Sequence, residues 1–494
     1  MSTEVTATGT APEEIKSLNE ECGVFGVWGD PHAAELTHLG LHTLQHRGQE
    51  GAGIVGKTPE GLRRHYGFGL VAEVFAQPAS LQQLRGDAAL GHVRYATAGG
   101  RILENIQPLL FRFTDSAIAL AHNGNLTNAA SLRAQLEANG AIFQSTSDTE
   151  VLMHLVRRSP ASTFIGQLKA ALNQVHGGFA FAILTESGLY AAVDPNGFRP
   201  LVVGRLPSGG YVVCSETAAL VAVGATFCFD VEPGELVEIT DAGLVRDHFT
   251  TQTQLAVCSM EFIYFARPDS EIHGVNVHLA REKMGRRLAQ EQPIDADIVV
   301  GVPNSSLSAA LGYAQESGIP YELGLVKSQY IARTFIQPTQ ALRERSVRLK
   351  LSAVPAVVAG KRIVLIDDSI VRGTTAIQLV QLLKDAGAKE VHLRIASPPL
   401  RFPCFYGIDI QTTKELFAAN HSVSQMKAIL GVDSLGFLSV AGLEASIGLK
   451  TTAPNGGLCV AYFTGEYPTP LDDYQPHLSE ELSHLAINIA EVSA

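Results

Sequence analysis

The sequence has few cysteines, a single tryptophan and no excess of positive charge over its 494 residues. Its six cysteines lie far apart, and this spacing in a long chain argues against a disulfide framework and leaves reduced thiols, a metal site or a nucleophile. The formal net charge of -12 argues against a general nucleic-acid-binding protein. No apolar run approaches the roughly 18 residues that a membrane span needs, so we expect no membrane-spanning segment.

The first 21 residues lack the features of a targeting segment. They contain five glutamates, one lysine and no apolar core, which argues against a secretory signal and fits poorly with an Arg-rich transit peptide. We therefore expect a soluble, cytoplasmic protein. A chain of this length with 46% hydrophobic residues exceeds what one core usually organises, and it predicts two domains of roughly 200 to 250 residues each.

The two halves of the chain have different element patterns. Up to about residue 250, strands come in runs that are interrupted by two or three helices, which predicts a layered α+β domain. Here Asn123-Gly124 is typical of a turn into a helix, and Ser147 with Glu150 predicts a capping box. From about residue 260, strands such as DIVVGVP, YELGLV, RIVLI and VHLRIA alternate with helices. That alternation predicts a doubly wound, mostly parallel sheet with a ligand at the carboxyl ends of its strands.

Cys22 stands directly after the polar leader and before the apolar run GVFGVW. A thiol needs a base, and an α-amino group with a pKa of roughly 7.7 to 8.0 can act as one near pH 7. Only a cysteine at the very N-terminus carries that amine. Cleavage after Glu21 would therefore unite nucleophile and base in one residue and make residues 1–21 a propeptide. The alternative is that Cys22 is a small buried residue at the head of a strand.

Five segments in order resemble the glutaminase domain of amidotransferases that use an N-terminal cysteine, a layered αββα fold: ECGVFG, LQHRGQEGAG, HVRYATAG, HNGNLTN and STSDTE. The resemblance implies that Cys22 is the nucleophile. It implies that Arg94 and Asp148 bind the α-carboxylate and the α-ammonium group of glutamine. Asn123 and the Gly124 N–H would form the oxyanion hole.

Each of these roles is chemically sensible and has a structural alternative. A guanidinium pairs with a carboxylate, and two neutral donors can bind the oxygen of a tetrahedral intermediate. Taken singly, Asp148 could cap a helix, Arg94 could be a surface charge and the Asn-Gly pair could be a tight turn. The resemblance also places Gly48 in the glutamine pocket. The joint occurrence of these residues in order favours the catalytic interpretation.

The segment RIVLIDDSIVRGTT places two carboxylates and a Ser/Gly/Thr loop between a strand and a helix. Such a loop binds phosphate through backbone N–H groups and the helix dipole. Because carboxylates repel phosphate, Asp367 and Asp368 must bind hydroxyls or a divalent cation, and the predicted ligand is a phosphorylated polyol. The alternative is an ordinary acidic turn.

This segment resembles the phosphoribosyl pyrophosphate (PRPP) motif of type I phosphoribosyltransferases, and VPNSS at 302–306 resembles their pyrophosphate loop. Residues 327–352 are similar to the flexible loop of the glutamine PRPP amidotransferase family, which the chain resembles from residue 20 to about 470. The resemblance implies one Mg²⁺ held by Ser305, Asp367 and Asp368. The implied PRPP-binding residues are Ser369, Arg372, Gly373, Thr374, Thr375, Lys327 and Arg333.

Residues 333–350 contain five basic side chains and one acid, Glu344. This local charge can attract a polyanionic substrate although the whole chain is acidic. A solvated charged face or an RNA-binding patch is the alternative. The absence of interleaved aromatic residues argues against RNA.

The resemblance implies an α+β N-terminal nucleophile (αββα) glutaminase domain at 22–255, an α/β type I phosphoribosyltransferase domain at 256–470 and a C-terminal tail at 471–494. Glutamine would be hydrolysed at Cys22, and the ammonia would displace pyrophosphate at C1 of PRPP. The products would be 5-phosphoribosylamine, glutamate and pyrophosphate, in the first step of purine nucleotide synthesis. Because water protonates ammonia, residues 259–270 would shape a shielded path between the sites.

The resemblance further implies purine nucleotides as inhibitors and a homo-oligomer, a dimer or a tetramer. Two other functions compete with this prediction. One is a PRPP-sensing regulator that uses the second half as a binding module. The other is an amidotransferase with another acceptor, such as a sugar phosphate or an aspartyl adenylate.

In one branch of the family, four cysteines hold a [4Fe-4S] cluster. Cys258, Cys404 and Cys459 match three of them, whereas Tyr462 stands at the fourth position. Such clusters generally need four thiolates. The sequence therefore favours three buried thiols over an intact cluster.

Overall fold

The computed structural model describes residues 22–95, 100, 102–114, 116–328, 351–408, 410 and 412–482. The predicted propeptide at 1–21 lies outside these residues, as does Arg333 with most of the predicted flexible loop. Within the described ranges, no helix is long and apolar enough to cross a bilayer.

The first half is built on two antiparallel sheets. One has seven strands in the order β11-β9-β10-β1-β4-β2-β3, and the other has six in the order β13-β12-β8-β7-β6-β5. The strands are β1 (Gly23–Trp28), β2 (Gly51–Thr58), β3 (Gly61–Phe68), β4 (Ala88–Arg94), β5 (Leu109–Arg112), β6 (Ala117–Leu126), β7 (Gly177–Thr185), β8 (Leu189–Val193), β9 (Val202–Arg205), β10 (Tyr211–Cys214), β11 (Thr226–Asp230), β12 (Glu235–Thr240) and β13 (Gly243–His248).

Helices cover the outer faces of both sheets. They are α1 (Ala33–Thr43), α2 (Val71–Val74), α3 (Pro78–Gln82), α4 (Ala129–Ala138), α5 (Thr149–Arg158), α6 (Phe164–Leu172) and α7 (Thr217–Ala222). One buried apolar cluster fills the space between the sheets, a second packs α1 and α7 on the seven-stranded sheet, and a third packs α5 and α6 on the other. Since a sheet buries each face against a further layer, the result is four layers in the order αββα.

Two local predictions for this half are wrong. Asn123 and Gly124 lie inside β6, where they pair with Ala180 and Phe179, and do not form a turn. The cap of α5 is Asp148, not Ser147, because the Asp148 side chain accepts the Thr149 N–H.

The second half contains a parallel sheet in the order β17-β20-β21-β22. Its strands and the short pairs around them are β14 (Val257–Cys258), β15 (Glu271–Ile272), β16 (Val275–Asn276), β17 (Ile298–Gly301), β18 (Leu325–Lys327), β19 (Leu351–Ala353), β20 (Arg362–Asp367), β21 (Glu390–Ile395), β22 (Ser434–Phe437) and β23 (Leu458–Cys459). The predicted strand YELGLV is split: Tyr321 makes one bridge to Val299, and β18 pairs with β19.

Helices cover both faces of the parallel sheet, as in doubly wound folds. They are α8 (Val277–Glu291), α9 (Leu307–Ser317), α10 (Pro355–Val358), α11 (Thr374–Asp385), α12 (Phe417–Asn420), α13 (Val423–Leu430), α14 (Val440–Ile447) and α15 (Ala461–Thr464). Val299 and Val364 belong to one buried cluster, whereas Val300 and Leu365 belong to the other, so alternate side chains face opposite helix layers.

Residues 471–482, in the predicted C-terminal tail, contact both halves. The Asp473 carboxylate accepts the backbone N–H groups of Ala130 and Ser131 at the start of α4. The buried Glu481 carboxylate accepts the Thr413 N–H at 2.5 Å. This segment therefore packs as part of the folded body.

Candidate active sites

Cys22 lies buried at the head of β1, between β4 and β10. The β1–β4 register pairs Gly23 with Val93, so Cys22 is next to Arg94 on the neighbouring strand. The Cys22 thiol donates to the Tyr95 carbonyl at 3.5 Å. A Cβ on Gly48 would lie 2.7 Å from backbone atoms of Val93 and Arg94, so only glycine allows this turn to pack against the strand end.

Arg94 is buried, which excludes the surface-charge alternative. Its guanidinium donates to Glu50 Oε2 at 2.7 Å and to the Gly100 carbonyl at 3.0 Å. The Asn105 amide also donates to Gly100, at 3.2 Å, and to Thr146 Oγ1 at 2.8 Å. Hydrogen bonds thus connect the end of β4 to the loop that leads to Asp148.

Asn123 and Gly124 present two neighbouring donors on β6. Asn123 is 1% exposed, and its Nδ2 has no hydrogen-bond partner among the described residues. Opposite Gly124 in β7, the Phe179 backbone N–H and carbonyl both bond to Asp194. Because paired groups alternate along an antiparallel ladder, the Gly124 N–H faces away from β7. Two donors at adjacent positions can stabilise one oxyanion.

Asp148 does cap a helix, as the structural alternative holds, but the cap is not its sole contact. One carboxylate oxygen accepts the Thr149 N–H at 2.9 Å, and the other accepts the Leu126 N–H at 3.0 Å. The second bond ties the carboxylate to the end of β6. Asp148 is therefore anchored to the strand that carries Asn123 and Gly124.

The second candidate site lies where β20 ends, at the carboxyl edge of the parallel sheet. Asp367 Oδ1 accepts hydrogen bonds from the Ser306 hydroxyl and the Asp368 N–H, both at 3.0 Å. Asp368 accepts the Ser369 hydroxyl at 2.7 Å and also hydrogen-bonds Ser305. Ser306 belongs to the predicted pyrophosphate loop at 302–306, but its hydrogen bond to Asp367 was not predicted.

Both carboxyl groups are buried, and burial raises the pKa of each above its ordinary value. The charge of Asp368 raises the pKa of Asp367 further. Within the described ranges, no group of three or more His, Cys, Asp or Glu side chains is placed to hold a metal ion. Two carboxylates with nearby hydroxyls nevertheless fit Mg²⁺, which usually takes one or two carboxylates and completes its shell with waters and substrate phosphates.

The loop after these carboxylates leads into the twelve-residue helix α11. Gly373 caps the helix with φ +77°, a conformation that favours glycine, and Thr374 and Thr375 form its first turn. The N–H groups of such a turn bind phosphate. Arg372 is ion-paired with Glu415. Lys327 ends β18, just before the residues outside the described ranges.

The predicted junction segment 259–270 contains a π-helical turn, Glu261–Phe265, between two buried arginines that the sequence did not reveal. Arg47, next to Gly48, donates to Glu261 Oε2 at 2.6 Å. Arg281 donates to the Phe262 carbonyl at 2.7 Å, and its charge interacts with Asp368. A signal for Arg281 exists, since Ala280 and Met284 place it on the apolar face of α8.

The three candidate cluster cysteines are buried together. Cys258 pairs with Cys459 across two short parallel strands, and burial, followed by the nearby Cys404, raises the pKa of Cys459 to about 12. The Tyr462 hydroxyl lies 2.5 Å from Ser259 Oγ and 3.7 Å from Cys258 Sγ, and it accepts the Met260 N–H at 2.8 Å. The position that would complete a four-thiolate cluster therefore holds a hydrogen-bonded phenol, which does not fit such a cluster.

Comparison with known proteins agrees with this two-site geometry. Family models of the glutamine amidotransferase domain and of the phosphoribosyl transferase domain match residues 92–222 and 276–396. The chain is 57% identical over 468 residues to an amidophosphoribosyltransferase of Staphylococcus aureus (strain COL), with 94% of each chain covered. It is 56% identical over 470 residues to the amidophosphoribosyltransferase of Bacillus subtilis (strain 168), covering 94% of this chain and 98% of that one.

A solved structure of the B. subtilis glutamine PRPP amidotransferase, complexed with ADP and GMP, matches with a TM-score of 0.87 and 54% identity, covering 92% of this chain and all of that one. The predicted fold classes and enzyme activity are confirmed, and neither alternative function is favoured. The chain belongs to the amidophosphoribosyltransferase family of purine biosynthesis, in which a glutamine amidotransferase domain precedes a phosphoribosyl transferase domain.

Proposed function

We propose that Cys22 is the nucleophile that hydrolyses glutamine, and that the released ammonia attacks C1 of PRPP bound at the carboxyl edge of the parallel sheet. The glutaminase part of this proposal rests on the pair of donors on β6: the Gly124 N–H, and Asn123 Nδ2, for which the described residues provide no hydrogen-bond partner. A buried amide without a partner costs free energy, so its retention has a functional reason.

In this mechanism, removal of residues 1–21 gives Cys22 an α-amino group that takes the thiol proton. The thiolate attacks the side-chain amide carbon of glutamine, and the oxyanion accepts hydrogen bonds from Asn123 and Gly124. The α-ammonium group of Cys22 gives its proton to the leaving nitrogen, the intermediate collapses to a glutamyl thioester and ammonia, and water then releases glutamate. Arg94 binds the α-carboxylate and Asp148 the α-ammonium group, in a pocket that Gly48 helps to form.

At the second site, Asp367 and Asp368, with Ser305, would hold the Mg²⁺ that phosphoribosyl transferases generally use with PRPP. A metal held by these residues would supply positive charge to the pyrophosphate leaving group. The loop Ser369–Thr375 binds the 5-phosphate at the start of α11. Lys327 and Arg333 would contribute positive charge for the PRPP phosphates.

The domain assignment follows the same division: a propeptide at 1–21, a glutaminase domain at 22–255, a phosphoribosyltransferase domain at 256–470 and a C-terminal segment at 471–494. Segment 259–270 shields the ammonia between the sites. A cytoplasmic homo-oligomer inhibited by purine nucleotides is part of this proposal, and the ADP and GMP in the B. subtilis relative support nucleotide binding.

The test compares Cys22→Ala with Cys214→Ala, a matched control at another buried thiol on the adjacent strand β10. Cys22→Ala should abolish glutamine-dependent synthesis and retain synthesis from added ammonia, whereas Cys214→Ala should retain both. The intact mass of the active enzyme should show the loss of residues 1–21. A Cys22→Ala enzyme that still uses glutamine, or an active enzyme that retains Met1, would reject the proposal.

A further inference from the structure

The pairing of β5 with β6 ends at Leu120, so the edge of β6 next to the proposed oxyanion hole has no neighbouring strand there in the described part of the chain. The β5–β6 register pairs Leu109 with Leu120, so Pro108 and Gln107 precede the last ladder position. Proline has no N–H to continue the ladder. The Gln107 side chain replaces the missing backbone acceptor, since its Oε1 accepts the His122 N–H at 2.6 Å.

The carbonyl of His122 faces the same edge and also has a side-chain partner. His92 Nε2, from β4 of the other sheet, donates to it at 3.1 Å. Burial lowers the pKa of His92 to about 3, so the ring is neutral and donates through Nε2. Both backbone groups of the residue before Asn123 are therefore fixed by side chains.

The other end of Gln107 reaches the residue beside Asp148. Gln107 Nε2 donates to Thr149 Oγ1 at 3.2 Å, and Thr149 Oγ1 lies 3.1 Å from His122 Nδ1. Because Thr149 Oγ1 accepts from Gln107, its hydroxyl proton is left for His122 Nδ1 or for Asp148 Oδ1, which lies 3.4 Å away. Thr149 is completely buried, and its N–H donates to the Asp148 carboxylate at 2.9 Å.

We propose that Gln107 is a positioning residue for glutamine hydrolysis, because its amide joins the oxyanion strand at His122 to the Asp148 cap through Thr149. The acceptor end of the amide fixes the strand that binds the transition state. The donor end fixes the carboxylate that binds the substrate. The inference rests on the proposed roles of Asn123, Gly124 and Asp148.

The test uses Gln107→Glu and Gln107→Met, because the first keeps an acceptor and the second removes both functions. Gln107→Glu should raise KM for glutamine about fivefold and leave kcat within about twofold, because an ionised carboxylate cannot donate to Thr149 and instead takes the Thr149 hydroxyl proton, which disturbs the Asp148 side of the contact alone. Gln107→Met should also lower kcat, by about 10- to 100-fold, because the oxyanion donors shift. Ammonia-dependent synthesis should be unchanged in both, which controls for folding.

Two further readouts separate positioning from general packing. The introduced carboxyl of Gln107→Glu can donate to Thr149 when protonated, so its KM should approach the wild-type value as the pH falls, and that of Gln107→Met should not. Thr149→Val should raise KM at least as much as Gln107→Glu, because it also removes the hydroxyl contacts to His122 and Asp148, and the double variant should be no worse than Thr149→Val, because the bond to Gln107 is already lost in it.

Wild-type kcat and KM in Gln107→Met would overturn the inference, as would an equal loss of ammonia-dependent synthesis. The proposed function fails differently. If Asn123→Ala leaves glutamine hydrolysis intact, the oxyanion assignment itself is wrong. If Asn123→Ala is impaired and Gln107→Met is normal, only the positioning role is rejected.

Discussion

The two sites of this chain solve opposite electrostatic problems. In the glutaminase half, charges already have partners within the protein: Arg94 pairs with Glu50, and Asp148 accepts two backbone N–H groups. In the other half, Asp367 and Asp368 lie side by side, and burial raises the pKa of both although hydroxyl and N–H donors lower it in part. The charges of the first site are thus already paired, whereas the second site holds two adjacent buried carboxyl groups that a bound cation would stabilise.

This difference follows from where each site lies. An oxyanion is transient, so its donors must be in place before it forms, and a sandwich of two hydrogen-bonded sheets supplies that rigidity. In the proposed second reaction, the metal and the pyrophosphate group of PRPP are bound before the chemical step, so they would complete the site themselves. We therefore expect substitutions to have different signatures in the two halves.

The largest expected effect is at the proposed metal site, Asp367 and Asp368. Asp368→Asn should lower kcat/KM for PRPP on the order of 10³-fold with either glutamine or ammonia as nitrogen source, because charge that holds Mg²⁺ is removed. Raising Mg²⁺ should restore part of the activity. The measurement is synthesis at several Mg²⁺ concentrations.

Asp297→Asn is the matched control, since Asp297 accepts from Arg362 at 2.8 Å at the opposite end of the same sheet. It should keep wild-type kcat/KM and Mg²⁺ dependence. If the two variants behave alike, or if Asp368→Asn retains ammonia-dependent synthesis, Asp368 does not hold the metal for the PRPP reaction.

The second-largest expected effect is the loss of the Asn123 donor at the proposed oxyanion hole. Asn123→Ala should lower kcat for glutamine hydrolysis by about 10²- to 10³-fold, the usual cost of one oxyanion donor, with little change in KM. Ammonia-dependent synthesis should persist. Steady-state assays with both nitrogen sources check this.

Asn128→Ala provides the comparison, because the Asn128 amide is buried near the same strand and already donates to the Gln174 carbonyl at 2.8 Å. Its loss should affect stability more than kcat. A larger kcat loss in Asn128→Ala than in Asn123→Ala would contradict the oxyanion assignment.

Residue patterns alone predicted the site of the second half better than the site of the glutaminase half. Residues Asp367 to Thr375 are contiguous, so strand, carboxylates and phosphate loop follow from local order. The residues of the glutaminase site are dispersed between Cys22 and Asp148. The family resemblance identified them as one site, whereas hydrophobic periodicity contains no information that they lie together. Where local rules were applied there, pairing with β7 overrode the turn preference of Asn123-Gly124.

The residues missed by sequence reasoning are those whose roles depend on tertiary register. Glu150 bonds back to the N–H groups of Gln144 and Ser145, so it is not part of a capping box with Ser147. The sequence offers one indication for Gln107, the proline that follows it at the start of a strand, because a proline interrupts the hydrogen-bond ladder that a side chain can then complete. Charge and turn preference carry no information about which strand edge a side chain will complete.

The smallest effect concerns the stability of the glutaminase half. The pKa of His92, about 3 in the folded protein because of burial, is roughly 6.5 in an unfolded chain. Between these values the unfolded state binds a proton that the folded state does not, so stability rises with pH through this window and falls on acidification. At pH 5, protonation of His92 in the unfolded state lowers the free energy of unfolding by about 2 kcal/mol relative to neutral pH.

His92→Gln keeps a donor for the His122 carbonyl and does not titrate, so it should weaken the pH dependence of stability between pH 4 and 6.5. Urea denaturation followed by the fluorescence of Trp28, the single tryptophan, reports this half specifically, because Trp28 lies on β1. Equal pH dependence in both proteins would show that the buried ring is not the source of acid sensitivity.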